Sequence, residues 1–228
     1  MHRFYAPDLS HPKFSLPEEE AHHLVHVLRL SAGKLVYVTD GKGGGAVCEL
    51  VSVSKKEVLL ETKQLNYLPI PARRLHVAIA PTKNIDRIEW FVEKATEIGI
   101  AEITPLICHR SERKDLKLDR IRKLIVSAAK QAQRDWFPVL KDVVQFNSFM
   151  ENISIANRFI AHCGEGVKAG LSDLKSHNEV IVLIGPEGDF TQDEVEIAVR
   201  KKFIPLSLGE ARLRTETAGL VSVAAFNN

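Results

Sequence analysis

Two short stretches near the C-terminal end of the chain hold the residues best suited to chemistry. The first is Leu183-Ile184-Gly185-Pro186-Glu187-Gly188-Asp189-Phe190-Thr191, an apolar run that breaks into a glycine-containing loop. Glycine lets a backbone approach a ligand closely and leaves main-chain N–H and C=O groups free to bond it. The second is Leu208-Gly209-Glu210-Ala211-Arg212-Leu213-Arg214, which runs into Thr215-Glu216-Thr217-Ala218-Gly219. Each follows a strand pattern, and open α/β sheets bind ligands beyond the carboxyl ends of their strands. Together the two loops can enclose a nucleoside between backbone amides, with Arg214 and Glu216 nearby for proton transfer or charge stabilisation. A plain tight turn is the alternative for the first loop taken alone.

Other chemistries find less support. The chain has no G-x-x-x-x-G-K-[ST] loop, no G-x-G-x-x-G opening a helix after a strand, and no G-x-S-x-G. Gly41 to Gly45 lie between two strand patterns and read as a hairpin turn. His22 and His26 stand one helical turn apart, but a zinc H-E-x-x-H motif would need Glu where His23 stands. No carboxylate completes that cluster, so no metal is expected. Cys48, Cys108 and Cys163 are isolated and odd in number, which argues against disulfides and zinc and for a reducing cytoplasm.

The elements that must position these residues fall into two patterns. Up to Tyr67 the chain reads as short strands with one helix: Leu35 to Val38, Ala46 to Val53 and Val58 to Leu60 as strands, with a turn at Lys55-Lys56. The helix carries Ala21, Leu24, Val25 and Leu28 on one face, and Ser15 with Glu18 resembles a capping box at its start. Tyr67-Leu68-Pro69-Ile70-Pro71 is the linker candidate, dividing residues 1–68 from 72–228. Beyond it strands and helices alternate, which predicts an α/β domain with a mostly parallel sheet. Strands are expected at Leu75 to Ala80, Ile103 to Ile107, Arg158 to His162, Val180 to Ile184 and Ile204 to Leu208. Helices are expected from Ile85 to Ile98, from Leu118 to Arg134, and after Thr191 and Thr215, with Thr191–Glu194 as a capping box and Thr215 as an N-cap.

The 228 residues suit one or two domains, and no apolar run approaches a membrane span. The start of the chain lacks the apolar stretch of a signal peptide. The net charge of +2 is uneven, with nine basic residues between Arg110 and Arg134. A local basic surface on a near-neutral chain suits a polyanion partner, and a solvated helix face is the bland alternative.

The motifs resemble the RsmE family of ribosomal RNA methyltransferases, members of the SPOUT superfamily. Leu-Ile-Gly-Pro-Glu-Gly and Leu-Gly…Leu-Arg-Thr-Glu-Thr-Ala carry the resemblance. His2-Arg3-Phe4-Tyr5, Ala21-His22-His23-Leu24, Glu93-Lys94-Ala95-Thr96-Glu97-Ile98-Gly99 and Ala128-Ala129-Lys130-Gln131 extend it along the chain. The family usually has Gly where this chain has Asp189, and it reads Leu-Gly-x-Arg-Ile-Leu-Arg where Ala211 and Arg212 here fill the Arg and Ile positions. Arg214 survives, and the first arginine of that pattern has shifted by one residue or been lost.

The resemblance implies a small N-terminal PUA-like β-barrel that binds RNA and a C-terminal SPOUT-type parallel sheet tied in a deep trefoil knot. It implies S-adenosylmethionine as cofactor, held by Leu183, Ile184, Gly185, Pro186, Glu187, Gly188, Leu208, Gly209, Leu213, Thr217 and Ala218. The implied reaction is methylation of N3 of a uridine in small-subunit (16S) ribosomal RNA, with Arg214 and Glu216 as catalytic groups. RNA contacts are expected at Arg3, His22, His23, Arg29, Arg110, Arg113, Lys114 and Arg134. The expected partners are small-subunit RNA or the assembled subunit and a second copy joined through the C-terminal domain, with no membrane. A non-catalytic RNA-binding or ribosome-assembly factor, and a methyltransferase acting on another base or a ribose, stay open.

Overall fold

The computed structural model describes residues 1–54 and 57–227; the turn expected at Lys55-Lys56 lies outside them. The chain forms two compact units, Met1–Ile70 with Val126–Phe137, and Pro71–Ile125 with Pro138–Asn228. The segment Val126–Phe137, which follows the linker by more than fifty residues, therefore belongs with the N-terminal residues.

In the first unit, strands β1 (Arg3–Tyr5), β2 (Lys13–Ser15), β3 (Leu35–Thr39), β4 (Gly44–Val53) and β5 (Val58–Tyr67) make one sheet in the order β1-β3-β4-β5-β2. Strand β1 is parallel to β3, and the other pairs are antiparallel. Phe4, Leu24, Val36, Val38, Leu50 and Leu60 form its fully buried core. Helix α1 (Glu18–His22) continues into a π-helical turn, His23–Leu28, which Arg29 ends at φ 52°. The capping box at Ser15 does not form. Ser15 is held in β2 opposite Leu59, its hydroxyl donates to Glu57 Oε1 at 2.6 Å, and Pro17 occupies the N-cap position.

The late segment closes this unit with polar and aromatic contacts. Lys130 pairs with Glu20, while Asp135 accepts from Arg3 at 3.0 Å and from the Tyr37 hydroxyl at 2.8 Å. Gly43, at φ +92°, lies so close to Trp136 that a Cβ there would stand 2.6 Å from the indole.

In the second unit, β6 (Arg74–Ile79), β7 (Glu102–Ile107), β8 (Val139–Leu140), β9 (Val144–Gln145), β10 (Asn157–Ala161), β11 (Glu179–Ile184) and β12 (Ile204–Leu206) form a sheet in the order β12-β10-β11-β6-β7-β8, with β9 also on β7. All of these pairings are parallel. From Leu75 and Val180 onward, β6 and β11 are buried at every position, which is why β11 reads as an apolar run and β6 as one broken only by His76. The helices are α2 (Ile85–Ile98), α3 (Leu118–Gln131, whose last turns belong to the first unit), α4 (Phe146–Glu151), α5 (Leu171–Lys175), α6 (Gln192–Arg200) and α7 (Thr215–Asn227).

Local sequence sets their ends. The Asn84 side chain caps α2 by accepting from Asp86 N, and Gly99 ends it at φ 110°. Thr191 and Glu194 form the expected capping box on α6. Gly219 lets α7 sit against α2 and β6, since a Cβ there would meet Phe91 at 2.7 Å and Ile79 at 3.0 Å. Among the described residues no helix is long and apolar enough to cross a membrane, and no group of three metal-ligating side chains assembles.

Candidate active site

Strands β12, β10 and β11 are neighbours and parallel, so their carboxyl ends reach the same edge of the sheet. The chain leaves each as an irregular loop, and a cavity of about 640 Å³ opens among the three. From the β11 loop it is lined by Ile184, Gly185, Pro186, Glu187 and Asp189; from the β12 loop by the run Leu206 to Thr215, including Leu208, Gly209, Leu213 and Arg214; Ala218 of α7 also lines it. The two loops singled out by their glycines thus face one space.

The third wall was not foreseen. Ala161, His162, Cys163 and Lys168 follow β10 and line the same cavity. Only the expected strand and the glycines at 164 and 166 hinted at this loop, and neither marks a site. His162 Nδ1 accepts from Gly164 N at 3.1 Å, so the ring proton sits on Nε2. That Nε2 is buried with no hydrogen-bond partner. Burial first, and the Lys168 ammonium second, hold the imidazole below its ordinary pKa and keep it neutral.

Cross-ties hold the three loops. Asp189 adopts φ 61°, a left-handed conformation that suits glycine and, next best, Asp or Asn. Its carboxylate accepts from Cys163 N and from Phe190 N, each at 2.8 Å, so it joins the β10 loop to the β11 loop. A glycine there would supply the conformation but not this bridge. Thr215 is the first residue of α7 rather than its N-cap; its buried hydroxyl donates to Gly185 O at 3.1 Å. Glu187 Oε1 accepts from Lys83 N at 2.9 Å.

The remaining residues singled out in the sequence lie elsewhere. Leu183 is in the core of the sheet, Thr217 does not line the cavity, and Gly188 lies under the side chain of Arg110. Glu216 is buried and off the cavity, with Oε1 3.8 Å from Arg87 Nε and Oε2 without a hydrogen bond. Arg212 and Arg214 are exposed at the cavity rim, on either side of half-buried Leu213.

Of the expected RNA-facing residues, His22, His23 and Arg29 are exposed at the end of α1, on the π-helical turn and just after it, and the His22 and His26 rings lie 4.5 Å apart, tilted by 39°. Arg3 is turned inward onto Asp135 and lies over the Tyr37 ring at 4.1 Å. Arg134 is half-buried, and its backbone carbonyl accepts from Arg3. Lys114 is exposed, whereas Arg110 and Arg113 direct their guanidinium groups to backbone carbonyls.

A parallel sheet whose neighbouring strand ends gather glycine loops around a nucleoside-sized cavity defines an α/β domain with a nucleoside-type ligand site. Comparison with known proteins sharpens this class. Residues 69–227 match the RNA methyltransferase domain family, and residues 16–63 match the RNA methyltransferase PUA domain family. The chain is 31% identical to the ribosomal RNA small subunit methyltransferase E of Bacillus subtilis over 95% of its own length and 90% of that protein. A crystal structure of a probable rRNA-methyltransferase from Porphyromonas gingivalis superposes with TM-score 0.90 at 38% identity, covering 98% of this chain and 95% of the other. That of the ribosomal RNA small subunit methyltransferase E from Neisseria gonorrhoeae, bound to S-adenosyl methionine, superposes with TM-score 0.88 at 26% identity, covering 99% and 96%. This chain therefore belongs to the ribosomal RNA small subunit methyltransferase E family, a family of RNA methyltransferases.

Proposed function

We propose that this enzyme transfers the methyl group of S-adenosylmethionine to N3 of a specific uridine in small-subunit (16S) ribosomal RNA. The observation that carries the reading is that the loops after β10, β11 and β12 enclose one cavity of about 640 Å³ with main-chain groups on its walls. The wall fits this cofactor: Leu213 offers an apolar surface for adenine, and Glu187 and Glu210 offer carboxylates to its sulfonium and α-ammonium. The unpartnered, proton-bearing His162 Nε2 behind that wall adds a donor without a protein acceptor.

Bound there, the cofactor supplies a methyl group made electrophilic by the sulfonium. The chain must align N3 with that methyl and ease the loss of the N3 proton. Arg214, exposed on the rim beside the β12 loop, pairs with the negative charge that grows on the uracil oxygens. Glu216, turned to Arg87 and outside the cavity lining, holds the first turn of α7 against α2.

Residues 1–68 serve RNA binding, with His22, His23 and Arg29 as its exposed contacts, and residues 72–228 carry methyl transfer, with Lys114 as a phosphate contact. A deep trefoil knot at the cofactor loops is supported by α7, which follows edge strand β12 and packs against β6 and β11 deep in the sheet order. A second copy seats on α7, whose half-exposed face carries Leu220, Val221, Ala224 and Ala225 opposite buried Gly219, Val223 and Phe226. Three cysteines without disulfides suit the cytoplasm.

The test is methyl transfer from labelled S-adenosylmethionine to small-subunit RNA and to assembled subunits, followed by nucleoside mass spectrometry. The expected product is 3-methyluridine. Label on a ribose or another base overturns the assigned position, and cofactor binding with no transfer to either substrate supports a non-catalytic RNA-binding factor.

A further inference from the structure

Basic residues at 110 and 113 are read from charge alone as phosphate contacts, but the structure gives their guanidinium groups other partners. Arg110 Nη1 donates to Gly188 O at 2.7 Å and reaches Phe190 O at 3.4 Å. Its aliphatic stem lies across Gly188, where an added Cβ would meet Arg110 Cδ at 3.3 Å and Cβ at 3.4 Å. Arg113 acts in the same way on the neighbouring loop: Nε donates to Thr82 O at 3.1 Å and Nη2 to Lys83 O at 2.9 Å. Lys83 N in turn donates to Glu187 Oε1 at 2.9 Å.

The base of the arginine loop is itself fixed. Ser111 is buried, and its hydroxyl accepts from Cys108 N at 2.9 Å, while His109 N donates to Glu194 Oε1 at 2.8 Å. Glu194 closes the capping box of α6, the helix that follows the glycine loop. Arg110 therefore reaches from an anchored segment to the part of the β11 loop that has no strand pairing of its own. Between Gly188 O and Phe190 O lies Asp189, the left-handed residue that bridges to the β10 loop.

We propose that Arg110 is a positioning residue for the cofactor cavity, holding the carbonyls on both sides of Asp189 so that Gly185 to Asp189 keep their binding shape before the cofactor arrives. The proposal rests on the assignment of this cavity to S-adenosylmethionine. A loop held in advance binds without a further ordering cost, so loss of the clamp weakens cofactor binding rather than the transfer step.

The test compares Arg110→Ala, Arg110→Lys and a cavity reference, Leu213→Glu, in the full chain. Cofactor affinity is read by calorimetry, KM and kcat by methyl transfer at saturating RNA, and RNA affinity as a function of salt. Arg110→Ala is expected to weaken cofactor binding about tenfold, the worth of one charge-assisted hydrogen bond, and to raise its KM alike while kcat changes less than about twofold. Arg110→Lys keeps the charge, but its shorter side chain stops before the position of Nη1, the one atom that reaches both carbonyls, and it should resemble Arg110→Ala. RNA affinity and its salt slope should match the wild type in both variants.

Unchanged cofactor affinity in Arg110→Ala, with Leu213→Glu impaired, overturns the clamp and leaves the cavity assignment standing. Normal cofactor binding by Leu213→Glu overturns the cavity assignment itself. A weakened RNA affinity with a shallower salt slope, and no change for the cofactor, returns Arg110 to the phosphate role.

Discussion

Thr215→Val is the sharpest probe of how the last helix is tied to the glycine loop. The Thr215 side chain is buried, and its hydroxyl donates at 3.1 Å to the carbonyl of buried Gly185. Valine replaces that hydroxyl by a methyl of similar shape, so little cavity or overpacking follows. What remains is a buried carbonyl deprived of its side-chain donor, which costs about 1–3 kcal/mol. For a unit of this size each kcal/mol lowers the melting temperature by roughly 2–4 °C, so a fall of about 2–12 °C is expected. Gly185 itself lines the cavity, so part of the loss should return as weaker cofactor binding, about threefold to tenfold. Differential scanning calorimetry with and without S-adenosylmethionine reads both effects, and Thr215→Ser should restore both. A Thr215→Val chain that melts and binds like the wild type would refute the idea that this hydroxyl couples α7 to the loop.

Four further outcomes follow. Arg214→Ala should lower single-turnover methyl transfer by about 100-fold, whereas Glu216→Gln should stay within about tenfold at saturating substrates, because only Arg214 faces the cavity; comparable losses in both would return Glu216 to the chemistry. Asp189→Gly should keep the φ of 61° but lose the bridge to Cys163 N, and Asp189→Val should melt lower still because a β-branched residue resists that backbone. Gly219→Leu should prevent α7 from closing on Phe91 and Ile79, seen as loss of soluble folded protein or a large drop in melting temperature. Burial, aided by Lys141, pulls His76 down to about 4 despite Glu102 at 3.3 Å, while the unfolded chain protonates near 6.5. The unfolded state then binds more protons between those values, so His76 contributes its full stability above 6.5 and loses roughly 3 kcal/mol as pH falls to 4. His76→Gln should flatten that part of the melting-temperature profile against pH.

Much of the second unit was legible because its signals are local. Period-3.6 apolar spacing marked α2 and α3, nearly continuous apolar runs marked β6 and β11, and Thr191 with Glu194 marked the start of α6. The two glycine loops were visible for the same reason. What escaped depends on neighbours distant in sequence. Arg3 reads as a free cation until Asp135 and Tyr37 are placed beside it. Ser15 reads as a cap until β5 draws it into a ladder. The β10 loop has no composition that marks it, and joins the site only because β10 lies between β11 and β12. The π-helical turn at His23–Leu28 has the same apolar residues as an α-helix and differs only in hydrogen bonding.

The assignment of Val126–Phe137 to the first unit has a consequence for how the protein is made. During synthesis, a ribosome that has released only the first seventy residues has delivered Glu20, Arg3 and Tyr37 without Lys130 and Asp135, their later partners. The small sheet must wait, partly uncovered, until the middle of the chain emerges. An N-terminal fragment cut at the linker would carry that same incompleteness permanently, and aggregation or proteolysis is its expected fate.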